Sequence, residues 1–361
     1  MKKLIFIALT AIFLLSACAT ARQKLSPQGN VDLKTANVYY QQKNVEQAEV
    51  FYQKVLDDNP DHALALRRMA DINLFKGEQF LERAVEFNQK AYQFYGRAIA
   101  KTESFENLTD EEKIDLRDMK KRKESSWIRI YNAAEKELTN GNTKSAMDIF
   151  ELAQKLEPGR PEPMIQLKNI YLKELKDDAK AEQILLALLN KEPDKLAYLQ
   201  ELGAFYYNKE NYTEAVKFYE KVRVQTPVDI DNLMNISACY YELKNYPKAM
   251  EATQAALQLE PNKADLIANA QSIAIKMDDK EASVRYLKML LEIEENEEDF
   301  TLICNTLLEL KRYDELIQYG EKWYNWDRAN KFAVEYVIYG AQMTQNKSLE
   351  AKYQAIKKAM P

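Results

Sequence analysis

From Leu199 to Pro227 the chain reads LQELGAFYYNKENYTEAVKFYEKVRVQTP, and its apolar positions recur three and four residues apart. That spacing predicts a pair of short amphipathic helices that cannot bury its apolar face alone. The same order of small and large residues returns elsewhere. Leu202-Gly203, Tyr206, Ala215, Tyr219 and Pro227 are answered between Gly29 and His62 by Ala36, Tyr39, Ala48, Tyr52 and Pro60. A third copy opens at Trp127 and carries Ala134, Ala146, Phe150 and Pro158, and a fourth carries Asn169, Leu172, Ala181, Leu185 and Pro193. In the sixth, Ile236-Ser237, Tyr240, Ala249, Ala256 and Pro261 keep the register, so that Pro193, Pro227 and Pro261 stand 34 residues apart. Each proline ends a second helix, because it lacks the donor that the next turn needs.

The second copy begins with Leu66, Met69 and Ala70 but places Ala84 about two residues late, and its second helix runs on through Tyr95 and Ile99. Thr109-Asp110-Glu111-Glu112 has the spacing of a capping box and starts a new helix toward Glu137. Residues 98–126 therefore read as a helical insertion. The cluster Lys120-Lys121-Arg122-Lys123 within it is balanced by Asp110, Asp115, Asp118 and Glu124, and reads as a solvated helix face rather than a docking patch. Beyond Pro261 the pattern decays while its length is kept. Ala270, Ser283 and Leu287 are followed by Glu294 and Glu295 where the proline belongs, and two further copies end at Pro361.

This pattern resembles the tetratricopeptide repeat, whose period is about 34 residues. The resemblance implies an all-α, right-handed α-solenoid, or superhelix, of about nine helix-turn-helix repeats over residues 29–361. It also accounts for the length. At 361 residues the chain exceeds one compact core, yet it shows no interdomain linker; a stack lengthens its core without thickening it. Only 8 Gly and 10 Pro interrupt the helix-forming residues.

The first residues differ. Lys2-Lys3 precede an apolar run, Leu4 to Leu15, too short for the roughly 20 residues of a spanning helix. Residues 1–17 look like a secretory signal. Leu15-Ser16-Ala17-Cys18 resembles the bacterial lipobox, which implies that Cys18 becomes the lipidated first residue of the mature chain. Ala19, in place of Asp, points by the proteobacterial sorting rule to the outer membrane, facing the periplasm. Residues 18–28 then form a polar tether of about 40 Å at most, with Ser26-Pro27-Gln28-Gly29 expected to break any helix.

Net charge is −5, with 51 basic and 56 acidic residues, and becomes −7 once Lys2 and Lys3 are removed. No basic surplus exists to neutralise a phosphate backbone, so nucleic acid is not an expected partner. His62, the single histidine, stands in a turn without neighbouring ligands, and no metal site is expected. Cys239 and Cys304 fall in first helices two repeats apart, beyond disulfide reach, and read as buried. The acidic run Glu294 to Asp299 lacks the spacing of a calcium loop. Phosphate loops and nucleophile elbows are missing. No cofactor is expected, and the chain does not read as an enzyme.

In tetratricopeptide arrays the first helix of each pair generally lines a concave groove. Carried over to the matching positions, that implies a partner-binding groove at Gln200, Tyr207 and Asn208 in the fifth repeat, and Met234 and Tyr241 in the sixth. Earlier copies place Asn37 and Tyr40, Arg67, Tyr131 and Gln166 there, with Leu33, Leu74 and Ile170 beside them. The cationic clamp by which chaperone-binding members hold a terminal carboxylate is not matched. The reading is a membrane-anchored lipoprotein that holds envelope proteins or peptides as a scaffold, with a periplasmic receptor for a small molecule or peptide as the alternative.

Overall fold

The computed structural model describes residues 23–360, and among them no strand occurs. Eighteen α-helices follow one another as nine helix-turn-helix pairs among the described residues. Two compact units divide the chain, residues 1–184 and 185–361, with the boundary inside one helix.

Unit 1 contains α1 (Pro27–Gln41) and α2 (Val45–Asp58), α3 (Ala63–Gln79) and α4 (Ala84–Glu103), and α5 (Asp110–Thr139) and α6 (Thr143–Leu156). It closes with α7 (Glu162–Ile170), which runs into a π-helical turn at Tyr171–Leu175, and with the start of α8 (Asp178–Lys191). The expectation that Ser26-Pro27-Gln28-Gly29 breaks helix is corrected: these residues begin one. The Ser26 side chain caps α1 by accepting from the Gly29 amide, and Pro27 occupies the first turn, where its missing donor costs nothing. Residues before it are also held. Gln23 accepts from the Ala63 amide at 2.8 Å, the Asn59 amide nitrogen donates to the Lys24 carbonyl, and the Ser26 amide donates to Asp58 at 2.8 Å. The second half of the expected tether is thus fastened to the first hairpin, while residues 18–22 lie outside the described residues.

The two-residue lag in the second repeat is absorbed by a 3-10 turn at Leu81–Arg83. The segment expected as an insertion is occupied by the end of α4 and the first half of α5, helices of 20 and 30 residues. Thr109 and Glu112 form both halves of the capping box.

Unit 2 holds the rest of α8 and five pairs: α9 (Leu196–Asn208) with α10 (Tyr212–Gln225), α11 (Ile230–Glu242) with α12 (Tyr246–Leu259), α13 (Ala264–Lys276) with α14 (Lys280–Ile293), α15 (Glu297–Glu309) with α16 (Tyr313–Trp326), and α17 (Lys331–Met343) with α18 (Lys347–Ala359). Each pair turns through three residues whose middle one is left-handed: Glu210, Lys244, Asp278, Lys311 and Gln345. In four of the five turns the third residue is Asn or Asp and caps the next helix through its side chain, as Asn211, Asn245, Asp279 and Asn346 do. Gly203 is required by packing: a Cβ there would stand 2.7 Å from the Tyr219 ring. The helix pairs close on a chain of buried clusters rather than one central core.

Candidate partner-binding face

In unit 1 the positions expected to line a groove are engaged with one another. Asn37 accepts the Tyr52 hydroxyl at 2.7 Å. Tyr40 donates its hydroxyl to Asp71, lies under the Arg68 guanidinium at 4.5 Å and meets the Tyr52 ring edge-on. Asp71 also accepts from Tyr95 at 2.6 Å and Arg68 at 3.2 Å, with Arg122 at 3.7 Å. Arg67 pairs with Asp115 and Asp118 of α5, and Asp118 holds Arg122 at 2.9 Å. Farther on, Tyr131 stacks on Trp127 and meets Phe150 edge-on, while Gln166 donates to the Tyr131 hydroxyl and to Glu135 at 2.8 Å. Burial pushes the Tyr131 phenol up to about 12, and burial together with the Asp71 charge raises that of Tyr40. Leu33, Leu74 and Ile170, expected on the groove side, are corrected to core positions, because their apolar chains turn into the hairpin contacts.

The corresponding face of unit 2 is open. Gln200 and Asn208 on α9 are exposed, with Ala204 exposed between them. Tyr207 is half-buried with its ring edge-on to Tyr212, and Tyr241 repeats that arrangement with Tyr246. Burial raises the Tyr207 phenol, and Glu242 adds to the shift, so its hydroxyl remains a hydrogen-bond donor at neutral pH. Met234 is half-buried against Leu233 and Leu266. At the far end α17 presents Phe332, Tyr339 and Met343, 63%, 43% and 47% exposed, along one helix face.

Charge also separates the two sides of unit 2. Its five first helices, α9 to α17, carry nine acidic and two basic residues; its five second helices, α10 to α18, carry nine acidic and twelve basic. Two clefts are present among the described residues, one of about 350 Å³ between α4 and the first half of α5, near Gly96 and Lys120, and one of about 360 Å³ between the second helices α12 and α14, near Gln254 and Tyr286.

Tetratricopeptide-repeat family profiles match residues 31–62, 196–222 and 230–263, which hold the first, fifth and sixth helix pairs. The chain carries tetratricopeptide repeats. No curated protein matches it. Among solved structures, MamA 41-end from Desulfovibrio magneticus RS-1 is 21% identical, over 46% of this chain and 94% of that one, with a TM-score of 0.39. Pseudomonas aeruginosa PilF is 16% identical, over 61% and 98%, at 0.36. PilW, described as a widely conserved type IV pilus biogenesis factor, is 16% identical, over 55% and 92%, at 0.34.

Outside the repeat faces, the polar groups singled out in the sequence serve structure. His62 does stand in the turn before α3, and its buried Nδ1 caps that helix by accepting from the Ala65 amide at 3.3 Å. Burial lowers its pKa, so folding favours the neutral ring. The unfolded chain takes up its proton below about pH 6.5, and the stability from this cap is present above that value and lost as pH falls toward the folded-state pKa. His62→Asn caps without titrating. It is expected to lessen the drop in melting temperature between pH 7.5 and pH 5, read by circular dichroism against the parent chain. Cys239 and Cys304 are buried free thiols, each pushed up to about 12 by burial, which makes them poor nucleophiles. Among the described residues no group of three or more His, Cys, Asp or Glu is placed to hold a metal, and no helix is long and apolar enough to cross a membrane. Cys18 and the signal-like segment 1–17 lie outside the described residues.

Proposed function

We propose that this tetratricopeptide protein is a protein-interaction scaffold whose binding surface is the first-helix face of unit 2. The observation that carries the reading is the contrast between equivalent positions. At the repeat position of Gln200, which faces solvent, unit 1 holds Arg67, Tyr131 and Gln166, whose polar groups are spent on hydrogen bonds and ion pairs within that unit. Tyr40, the counterpart of Tyr207, is likewise bound to Asp71; Asn208, Phe332 and Tyr339 add to the exposed face of unit 2. Exposed rings beside exposed amides suit a peptide, giving contact area at little entropic cost and partners for its backbone groups.

The scaffold works at a bacterial envelope membrane. This part of the proposal rests on the lipobox-like Leu15-Ser16-Ala17-Cys18, with Cys18 as the lipidated residue, and on Ala19 as the sorting signal for the outer membrane. A single acyl chain anchors only marginally, and the several chains of a lipoprotein cysteine hold firmly. The docked segment Gln23 to Ser26 would keep the first repeat close to the bilayer. The task is assembly or recruitment of envelope proteins. Crosslinking in intact cells followed by pull-down from membranes tests it: a protein partner is expected with the parent chain, together with acyl label that Cys18→Ala loses. Acyl label retained by Cys18→Ala rejects the anchor. A small-ligand thermal shift without any crosslinked protein rejects the scaffold in favour of a receptor.

A further inference from the structure

Equivalent first-turn positions of successive first helices in unit 2 hold Asp231, Asp265 and Glu298, and the next in the series is Phe332. All four are exposed. Acids in a first turn stabilise the helix they begin, which explains each singly. It does not explain why the five first helices carry only Lys276 and Lys331 as basic residues, while cations gather on the second helices. Lys263 lies near Asp231 and Asp265, but its hydrogen bond goes to Glu260 at 3.0 Å. Along this row the acids have no ion pair among the described residues, and they lead to an unpartnered aromatic side chain.

Below that row runs a second, Ala204, Ala238 and Ser272, whose short side chains let a backbone approach the helices. Asn305 and Tyr339 continue it. The Tyr336 hydroxyl of α17 donates to Asn305 of α15, so side chains of adjacent first helices meet here. Packed helices of this kind stand about 10 Å apart. A polyproline II segment rises about 3.1 Å per residue with three residues per turn, so its side chains return to one face about every 9 Å. At that helix spacing, acids at equivalent positions would match the period of such a chain.

Resting on the scaffold reading above, we infer that the partner segment is an extended, polyproline II-like peptide with Lys or Arg at every third position and an apolar residue one turn beyond the last. Its cations meet Asp231, Asp265 and Glu298 in turn, its apolar side chain packs on Phe332, Tyr339 and Met343, and its backbone lies over Ala204, Ala238 and Ser272. A helical ligand would meet this spacing only with cations two turns, or about seven residues, apart, a pattern that Lys at every third position does not supply.

The test titrates the full chain with labelled, proline-rich peptides of about fifteen residues. One carries Lys at every third position and a terminal Phe, and the other has the same composition with the lysines bunched. The spaced peptide is expected to bind at least fivefold more tightly, and more weakly as salt rises. Asp231→Asn, Asp265→Asn and Glu298→Gln combined are expected to abolish that preference and flatten the salt dependence, with an unchanged melting temperature showing an intact fold. Phe332→Ala is expected to remove the gain from the terminal Phe while leaving the salt dependence. Equal affinity for the two peptides overturns the inference. If neither binds while crosslinked partners are still lost on changing Tyr207 and Tyr241, the basic segment is wrong and the scaffold reading stands. If those two tyrosines also have no effect on capture, both fall.

Discussion

Trp323→Ala is expected to destabilise unit 2 by about 3–5 kcal/mol, the largest single-residue effect in the chain, because it removes the biggest fully buried side chain and leaves a cavity. The indole is stacked between Phe300, at 5.8 Å and 4°, and Tyr336, at 6.1 Å. It joins α16 to both α15 and α17, so the loss falls on two helix pairs at once. The indole Nε1 is buried without a hydrogen-bond partner, and an unsatisfied donor carries its own penalty. Trp323→Phe removes that donor and keeps a ring in the stack; it is expected to cost less than half as much. Hydrogen exchange resolved by segment is the suitable readout, since repeat arrays open piecemeal. Protection should fall most in α15 to α17 for the Ala variant and little for the Phe variant. Equal losses in both would mean that the stacked ring contributes nothing.

Asp71→Ala is expected to destabilise unit 1 by about 2–4 kcal/mol. Its carboxylate, with the side chain 8% exposed, accepts from Tyr40, Tyr95 and Arg68 and faces Arg122. Removing it strands the hydroxyls of buried Tyr95 and half-buried Tyr40 and leaves Arg68, whose Nε is already unsatisfied, without its carboxylate. Burial works against the Arg68 charge and Asp71 supports it; with Asp71 gone the guanidinium still stays protonated, as arginine does in proteins, and the cation is left without its partner. Asp71→Asn keeps an acceptor and is expected to cost about half. The loss should appear in α1, α3, α4 and the first half of α5 by hydrogen exchange. Because this network is structural, partner capture should survive Asp71→Asn; a variant that folds normally yet loses its partner would return unit 1 to the binding surface.

The helix pairs were legible because their cause is local. A small residue where helices approach, as at Gly203 or Ala215, and a proline after the second helix are written into the order of residues, as is the capping box at Thr109 and Glu112. One local signal was misread and one was not read at all. Ser26-Pro27 is an N-cap followed by a first-turn proline, which composition alone does not distinguish from a helix break, and His62 caps with an imidazole nitrogen in place of an oxygen. The binding face was legible only in part. Positions on a helix face follow from spacing, but whether a side chain there is available depends on who meets it. Arg67 and Asp118 are 51 residues apart and Tyr40 and Asp71 are 31 apart. Nothing in the repeat pattern announces those pairings. Gln200, the counterpart of Arg67 in unit 2, is exposed, and the repeat pattern does not announce that difference either.

The central claim is that partners are held by the first-helix face of unit 2 and not by its equivalent in unit 1. The most direct test captures partners by crosslinking with two double variants, Tyr207→Ala with Tyr241→Ala and Tyr40→Phe with Tyr131→Phe, each checked for folding. The first is expected to lose the partner at unchanged expression, and the second to keep it. Capture unaffected by the first, or lost only with the second, would contradict the account.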